Sequence, residues 1–414
     1  MALSETSPHA LDWPAGDLTR VPYRLYRDEA VYARERERLF LGRSWNFVGL
    51  DVEIPEPGDY RTSFIGDVPV IVVRDEDGAV QVLENRCAHR GALVCLKAAG
   101  NAKRLTCVYH AWSYDLQGRL VGLAFRNGVK GQGGMPGNFD AERHGLRRYR
   151  VEIFCGLVFA TLAADMPTVE DHLGPEIAAR IRRVFCKPIE VLGYGNQVLP
   201  NNWKLYVENV KDSYHASILH LFFTTFKINR LSQQGGVLVD PSGGHHVSYS
   251  KIERGSETGD YAAQGIRSEN ARFRLQDPAL LENRDEFDDG ITLQILTVFP
   301  NFVVQQIQNT LAVRQILPKG VARTELLWTH FGFADDDAGM RTLRRKQSNF
   351  VGPAGYISME DGAVGDFVQR GIAGAEEDSS VVMMGGSGTG SETTRATETS
   401  VRGFWKAYRA AMEL

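Results

Sequence analysis

Cysteine is scarce in this chain, with five residues among 414. That is too few for a disulfide scaffold, and an odd number fits a reducing compartment, so a cytoplasmic location is expected. The opening residues Met1-Ala2-Leu3-Ser4-Glu5-Thr6 have neither the basic residues nor the apolar stretch of a signal peptide. Long hydrophobic runs are missing too. The longest nearly apolar stretch, Ile153 to Ala164 (IFCGLVFATLAA), contains a glycine and falls short of the roughly 20 residues that cross a bilayer; no membrane span is expected. Neither sign of charge dominates, since 47 Lys+Arg oppose 51 Asp+Glu for a formal net charge of −4. Without a concentrated positive field the chain has no general means of holding nucleic acid. No internal repeat, serine nucleophile elbow or nicotinamide or flavin fold is apparent, and Gly131 to Gly137 (GQGGMPG) lacks the G-x-G-x-x-G spacing and reads as a turn-rich loop.

What is present is the composition of a folded protein, 43% hydrophobic and 24% charged, long enough for two or three domains. Residues 1–40 read as a polar arm followed by a short surface helix, Asp28 to Phe40, packing with the catalytic part. Residues 41–160 carry short β-branched runs broken by Gly, Pro and Asp. Asp77-Gly78 and Gln117-Gly118 mark two hairpins there, so a small all-β domain is expected. Residues 161–414 mix helical patterns at Glu176 to Val184, Trp203 to Leu221, Met340 to Phe350 and Ser400 to Met412 with strands at Thr292 to Val304, Asn309 to Leu317 and Glu325 to Phe333. That separation predicts an α+β domain, an antiparallel sheet surrounded by helices. Gly385 to Thr394 (GGSGTGSETT) reads as a flexible loop.

Two short motifs inside the β region put one thiol and one imidazole on each of two loop tips: Cys87-Ala88-His89 and Cys107-Val108-Tyr109-His110. Two such tips can enclose one metal site. Zn(II) accepts a Cys2His2 set, but common zinc fingers pair like with like on each arm. A Rieske 2Fe-2S cluster instead needs two thiolates on one iron and two imidazoles on the other, and the mixed arms favour it. Cys155 and Cys186 lie in apolar runs and are expected in the core, while Cys95 has no partner spacing.

A second constellation lies in residues 200–220. Asp212, His215 and His220 can share one side of a helix that loosens by one residue between the histidines. Two histidines and one carboxylate, with positions left open, form the facial triad of non-haem Fe(II) enzymes that use O2. Asp212 is close enough in sequence to His215 to orient it instead. The third ligand is then sought in Gly352 to Gly362, where Asp361 is the candidate and Glu360 its rival. The pair His245-His246 is assigned structural or loop roles, because successive strand residues face opposite ways.

Both metal motifs, in this order and at this separation, resemble the large (α) subunit of Rieske non-haem iron aromatic ring-hydroxylating dioxygenases. The resemblance implies that Cys87, His89, Cys107 and His110 hold the cluster and that His215, His220 and Asp361 hold the catalytic iron. It implies that Asp212 bridges an iron-ligand histidine to a cluster histidine of a neighbouring subunit, and that Asn209 stands near the iron. It further implies a ring of three α subunits with small β subunits (α3β3), O2 as co-substrate, and NAD(P)H oxidised by a separate reductase with or without an intervening ferredoxin. The segments Gly128 to Pro136 (GVKGQGGMP), Gly243 to Ser250 (GGHHVSYS) and Arg395 to Tyr408 (RATETSVRGFWKAY) resemble the branch of that family acting on aromatic carboxylates, terephthalate in particular. Anthranilate, salicylate and halobenzoates are the alternative substrates. A carboxylate calls for the planar fork of arginine. Arg314, expected on one strand face with Gln306, Gln308 and Thr310, and Arg395, after the Gly-rich loop, are implied to grip it. A Rieske electron carrier or a zinc-binding protein without catalysis is the non-enzyme alternative, and the downstream His215, His220 and Asp361 set argues against both.

Overall fold

The computed structural model describes residues 13–14, 16–251, 261, 263–266 and 274–414. The first twelve residues of the expected arm lie outside the described residues. Two seven-stranded antiparallel sheets organise the chain. The first runs in spatial order Asn46–Leu50, Leu157–Thr161, Arg148–Phe154, Val80–Glu84, Val68–Arg74, Asp59–Ile65, Ala99–Asn101. The second runs Ile189–Leu199, Thr324–Phe333, Thr310–Pro318, Phe302–Ile307, Ile291–Val298, His246–Lys251, Gly235–Val239. A three-stranded sheet of Leu105–Thr106, Ser113–Tyr114 and Leu120–Gly122 completes the all-β part.

The two expected hairpins turn by the same device. Asp75 Oδ1 accepts from the amides of Asp77 and Ala79 at 3.1 and 2.9 Å. Asp115 Oδ1 does the same for Gln117 and Arg119 at 3.0 and 2.8 Å. In each, the glycine three residues on takes a left-handed φ of +83°, a conformation a Cβ disfavours. The apolar stretch from Ile153 becomes the ends of two strands, and among the described residues no helix is long and apolar enough to cross a membrane.

The arm is woven into the catalytic part. Arg20–Pro22 pairs antiparallel with Ser379–Val381, and Trp13 packs edge-on against Trp405, with centroids 5.5 Å apart. The expected surface helix is an α-helix over Glu29–Glu35, capped by Asp28, that widens to π geometry over Arg36–Phe40. It is not a simple surface helix, because Glu35 is wholly buried. Its Oε1 accepts from Lys204 Nζ at 2.6 Å and Tyr408 Oη at 2.6 Å, and its Oε2 accepts from Trp203 Nε1 at 2.8 Å.

Other expectations shift. Thr292 to Val304 is two strands that reverse at Phe299 to Asn301. The chain also folds back at Gln308-Asn309, so Gln306 lies on the strand beside Arg314's and not on the same one. Helices at Val169–Val184, broken at Gly174 (φ +70°), Ala338–Val351 and Thr399–Met412 extend the expected patterns, and the Tyr356–Gly371 helix went unforeseen. Cys186 is exposed and Cys155 only half-buried, which corrects their assignment to the core. Cys155 occupies a tight turn with φ +52°, so its side chain is directed by the reversal and not by the apolar neighbours in sequence. The Gly-rich loop is tied down: Gly390 O accepts from Thr399 Oγ1 at 2.7 Å and Gly388 O from Arg402 Nε at 2.7 Å.

Candidate active site

The two Cys/His loops are built alike. In the first, the Cys87 amide donates to Ala92 O at 2.8 Å and the Gly91 amide to Cys87 O at 2.9 Å. In the second, the Cys107 amide donates to Trp112 O at 2.9 Å and the Ala111 amide to Cys107 O at 3.0 Å. The residue closing each loop, Gly91 or Ala111, is left-handed. These matched turns send the cysteines inward, where Cys87 and Cys107 are 3% and 2% exposed, and leave His89 and His110 at the surface. The two imidazole rings lie 4.6 Å apart, and His89 stacks on Trp112 at 4.7 Å. Tyr114 Oη lies 3.3 Å from Cys87 Sγ. Two buried thiols beneath two adjacent imidazoles fit a binuclear cluster with thiolates on one iron and imidazoles on the other.

The expected helix from Trp203 to Leu221 is three pieces, Trp203–Lys211, Ala216–Leu219 and Leu221–Thr225. The anticipated slip between the histidines is not how they are aligned. The backbone leaves helical geometry at Asp212 (ψ 104°) and at His220 (ψ 86°). Asp212 Oδ1 then accepts from the Tyr214 amide at 2.7 Å and starts the next turn. Among the described residues, one cluster brings three possible metal-ligand atoms within 4.8 Å of one another: His215, His220 and Asp361. Asp361 Oδ1 lies 3.2 Å from His220 Nε2 and 3.5 Å from His215 Nε2.

Each imidazole turns its other nitrogen to a second carboxylate. His215 Nδ1 lies 3.4 Å from Asp212 Oδ2, and His220 Nδ1 lies 2.8 Å from Glu360 Oε2. Such outer partners fix ring orientation and raise ligand basicity. The contest between Asp361 and Glu360 therefore resolves by geometry, with Asp361 joining the cluster and Glu360 holding His220 from behind. Asn209 Nδ2 donates to Asp361 Oδ1 at 3.1 Å. Burial works to lower the His215 pKa, yet its contacts with Asp212 and Asp361 outweigh it and hold the ring at about 10. Burial works to raise Asp361, yet His220 and His215 carry it far below the usual carboxylate range. Imidazoles that favour the proton around an ionised carboxylate are a donor set whose protons a divalent cation would displace on binding. Three N and O donors without thiolate suit iron of the two-histidine, one-carboxylate kind.

This triad borders a cavity of about 70 Å³, also lined by Arg314 and Arg395, Asn209 and Asp212, and apolar residues including Phe223, Leu293, Ile295, Ile307 and Trp328. Arg314 is buried; its Nη1 donates to Tyr206 Oη at 2.6 Å and its Nη2 to Gln305 Oε1 at 2.5 Å. Gln305, not the expected Gln306, is its partner, because the fold-back at Gln308 reverses which glutamines face that way. Gln306 instead accepts from Arg183. Arg395 is equally buried and donates to Asn229 Oδ1 and Arg230 O. Among the described residues neither guanidinium meets a carboxylate, and each keeps its Nε without a partner. Burial lowers the Arg395 pKa to about 10, so the group stays cationic at neutral pH.

Of the remaining residues singled out from the sequence, His245 and His246 do not come together as ligands. His245 Nδ1 accepts from the Phe299 amide at 3.2 Å, while His246 Nδ1 lies 2.7 Å from Thr297 Oγ1. Glu360, Tyr206 and Gln305 acquire partners in the site that local spacing could not have assigned.

Comparison with known proteins follows the same two-part division. The Rieske [2Fe-2S] domain family matches residues 44–130, and the ring hydroxylating alpha subunit (catalytic domain) family matches residues 178–414. The first match settles the zinc alternative in favour of the iron–sulfur cluster. The chain is 60% identical over 402 residues to the terephthalate 1,2-dioxygenase terminal oxygenase component subunit alpha 2 of Comamonas sp, covering 97% of each. It is 48% identical over 401 residues to the anthranilate 1,2-dioxygenase large subunit of Burkholderia cepacia, covering 97% of this chain and 95% of that one. The solved structure of naphthalene 1,2-dioxygenase from Rhodococcus sp. bound to indole matches the fold with a TM-score of 0.79 at 23% identity, over 95% of this chain and 94% of that one.

Proposed function

The chain belongs to the family of Rieske ring-hydroxylating dioxygenase α subunits, and on that premise we propose that it is the terminal oxygenase subunit that cis-dihydroxylates terephthalate. As a member of that family it is an oxidoreductase that acts on an aromatic substrate with O2 and with electrons from NAD(P)H supplied through a partner reductase. When bound, the Rieske cluster passes electrons singly and the mononuclear iron engages dioxygen at its open positions.

The residues divide that work. Cys87, His89, Cys107 and His110 would hold the cluster, and His215, His220 and Asp361 the iron. Asp212 and Glu360 orient the two imidazoles through Nδ1, Asn209 orients Asp361, and Asp212 is the candidate bridge to a cluster histidine of a neighbouring subunit. The apolar wall of the cavity excludes water from the ring, and Arg314 and Arg395 bind its two carboxylates. In this reading the chain divides into an arm (1–40), a Rieske domain (41–160) and a catalytic domain (161–414), and works in the cytoplasm as an α3 ring with small β subunits.

One observation carries the choice of substrate: two buried guanidinium groups, neither matched by a carboxylate among the described residues, line the cavity that borders the metal triad. A dicarboxylate neutralises both. Anthranilate, salicylate or a halobenzoate brings one carboxylate and leaves one cation uncompensated. The test is oxygen uptake and product formation with a competent reductase, across terephthalate, isophthalate, phthalate, anthranilate and salicylate. Coupled turnover is expected with terephthalate, and better coupling with any of the others would replace it as the substrate.

A further inference from the structure

At the Arg314 end of the cavity more hydrogen-bond donors converge than one arginine supplies. Arg314 lies between the strands that carry Gln305 and Trp328. Its two terminal nitrogens are committed to Tyr206 and Gln305, and its guanidinium carbon sits 4.6 Å over the Trp328 ring. Because Gln305 Oε1 is taken by Arg314, its amide nitrogen must face the other way. Arg314 Nε, Gln305 Nε2 and Trp328 Nε1 are all buried and without a partner among the described residues, and the three residues, at 5%, 2% and 1% exposure, line the same cavity. Buried N–H groups are paired in nearly all native structures, so a concentration of unpaired donors calls for an acceptor from outside the chain. Trp328 is held in turn by His330, which stacks on it at 5.7 Å and 19°. Burial and the Arg314 charge keep His330 down at about 4, so this column carries one positive charge, at Arg314.

We infer that Gln305 and Trp328 join Arg314 in a donor-only carboxylate subsite, and that these two residues determine which substituent the ring can carry at that end. A carboxylate offers acceptor sites on both oxygens. An amino substituent would meet N–H groups and a cation, and the acceptors at that end, Gln305 Oε1 and Tyr206 Oη, are already engaged by Arg314. The subsite rests on the dicarboxylate reading above and adds to it the residues that discriminate.

The experiment is calorimetric binding to the anaerobic holoenzyme without reductase, so that no turnover occurs, using terephthalate and 4-aminobenzoate. For Gln305→Leu and Trp328→Phe the terephthalate Kd should rise roughly tenfold, the scale of one hydrogen bond lost from a buried site. Gln305→Glu keeps the volume and places a carboxylate against Arg314, so the chain should fold with its cluster absorption intact. It should weaken terephthalate at least about 100-fold while improving 4-aminobenzoate relative to it. Unchanged terephthalate binding in the Leu and Phe variants, or equal weakening of both ligands by Gln305→Glu, would overturn the subsite and leave terephthalate as the substrate. Absence of terephthalate binding to the unaltered enzyme would instead overturn the dicarboxylate reading itself.

Discussion

Buried charge is handled in two opposite ways in this molecule. In the framework it is cancelled within the chain. Lys204 meets Glu35 with both side chains fully buried, and Arg344 meets Glu286 and Asp336, each at 2.6 Å. In the cavity it is left open, with Arg314 and Arg395 meeting no counter-charge among the described residues and the Asp361 carboxylate lying among imidazoles. The framework charges tie distant segments together, the arm to the Trp203–Lys211 helix in one case and the Ala338–Val351 helix to the loop before the Ile291–Val298 strand in the other. The cavity arginines are bonded only to neutral groups among the described residues, Arg314 to Tyr206 and Gln305 and Arg395 to Asn229 and the Arg230 carbonyl, and in the proposed reading their charge is met by the substrate. A buried ion pair is costly when one partner is removed, by about 3–5 kcal/mol, whereas removing a cation bonded only to neutral groups loses hydrogen bonds worth about 1 kcal/mol each, a smaller cost to folding.

Function and folding should therefore separate by region. The largest effect belongs to the metal cluster. Asp361→Ala should abolish product formation and the iron beyond that of the Rieske cluster, while visible absorption from the cluster persists; iron analysis beside the spectrum reads both. Glu360→Gln, one residue away, keeps the size and weakens only the support of His220, so iron retention or turnover should fall by about 10–100-fold. Equal loss in the two variants would mean that Glu360 ligates and that the geometric distinction between them is mistaken.

The comparison sharpens when one cation is removed from each region. Lys204→Met leaves Glu35 buried and unpaired and should lower stability by about 3–5 kcal/mol, measured by denaturant or thermal unfolding, with kcat/KM per folded enzyme nearly preserved. Arg314→Met should do the reverse. The unfolding midpoint should move little, and KM for terephthalate should rise on the order of 100-fold, as expected when a buried charge pair with the ligand is truncated. A large stability loss in Arg314→Met would place that residue in the framework.

How much of this was legible in the sequence follows from how local each feature is. The cluster loops are legible because each thiol and imidazole sit two or three residues apart on a turn the chain closes by itself. His215 and His220 were found for the same reason, although the break that aligns them was misplaced: Asp212 ends one helix and starts the next, and that needs tertiary support from Ser213 Oγ bonding Arg395 O at 2.8 Å. Asp361 stood as a candidate beside its rival Glu360 and local spacing could not decide between them, since about 140 residues separate the His220 region from both and their helix carries no strong start signal, having a glycine at its N-cap. Glu35 was hidden in a run of charges that reads as a solvated face. The face that Arg314 shares was expected to carry Gln306 and carries Gln305, because a strand read as continuous keeps its parity, while a real fold-back at Gln308, φ +52°, changes it.

A third way of keeping titratable groups in the interior, neutralisation by losing the proton, gives the smallest effect. Burial, aided by the neighbouring His172 and Lys211 against the opposing pull of Asp240, holds His245 at about 3, and burial keeps His246 well below its ordinary value. Both rings are neutral in the fold. Between about 3 and the unfolded value near 6.5 the unfolded chain binds the proton and the folded chain does not, so stability falls as pH drops through that window. Lys211, lowered by burial to about 7, acts on a different range: its penalty is already complete below 7 and is relieved as pH rises above it, so it adds no slope in the acid window. For His245 alone the loss from pH 7 to pH 5 should be on the order of 2 kcal/mol. His245→Gln, which retains a donor and an acceptor, should flatten the dependence of the unfolding midpoint on pH between 6.5 and 5 without altering KM for terephthalate. An unchanged slope would mean that other groups carry the acid sensitivity. A change in KM would mean that the neutral histidines belong to the cavity and not to the framework that surrounds it.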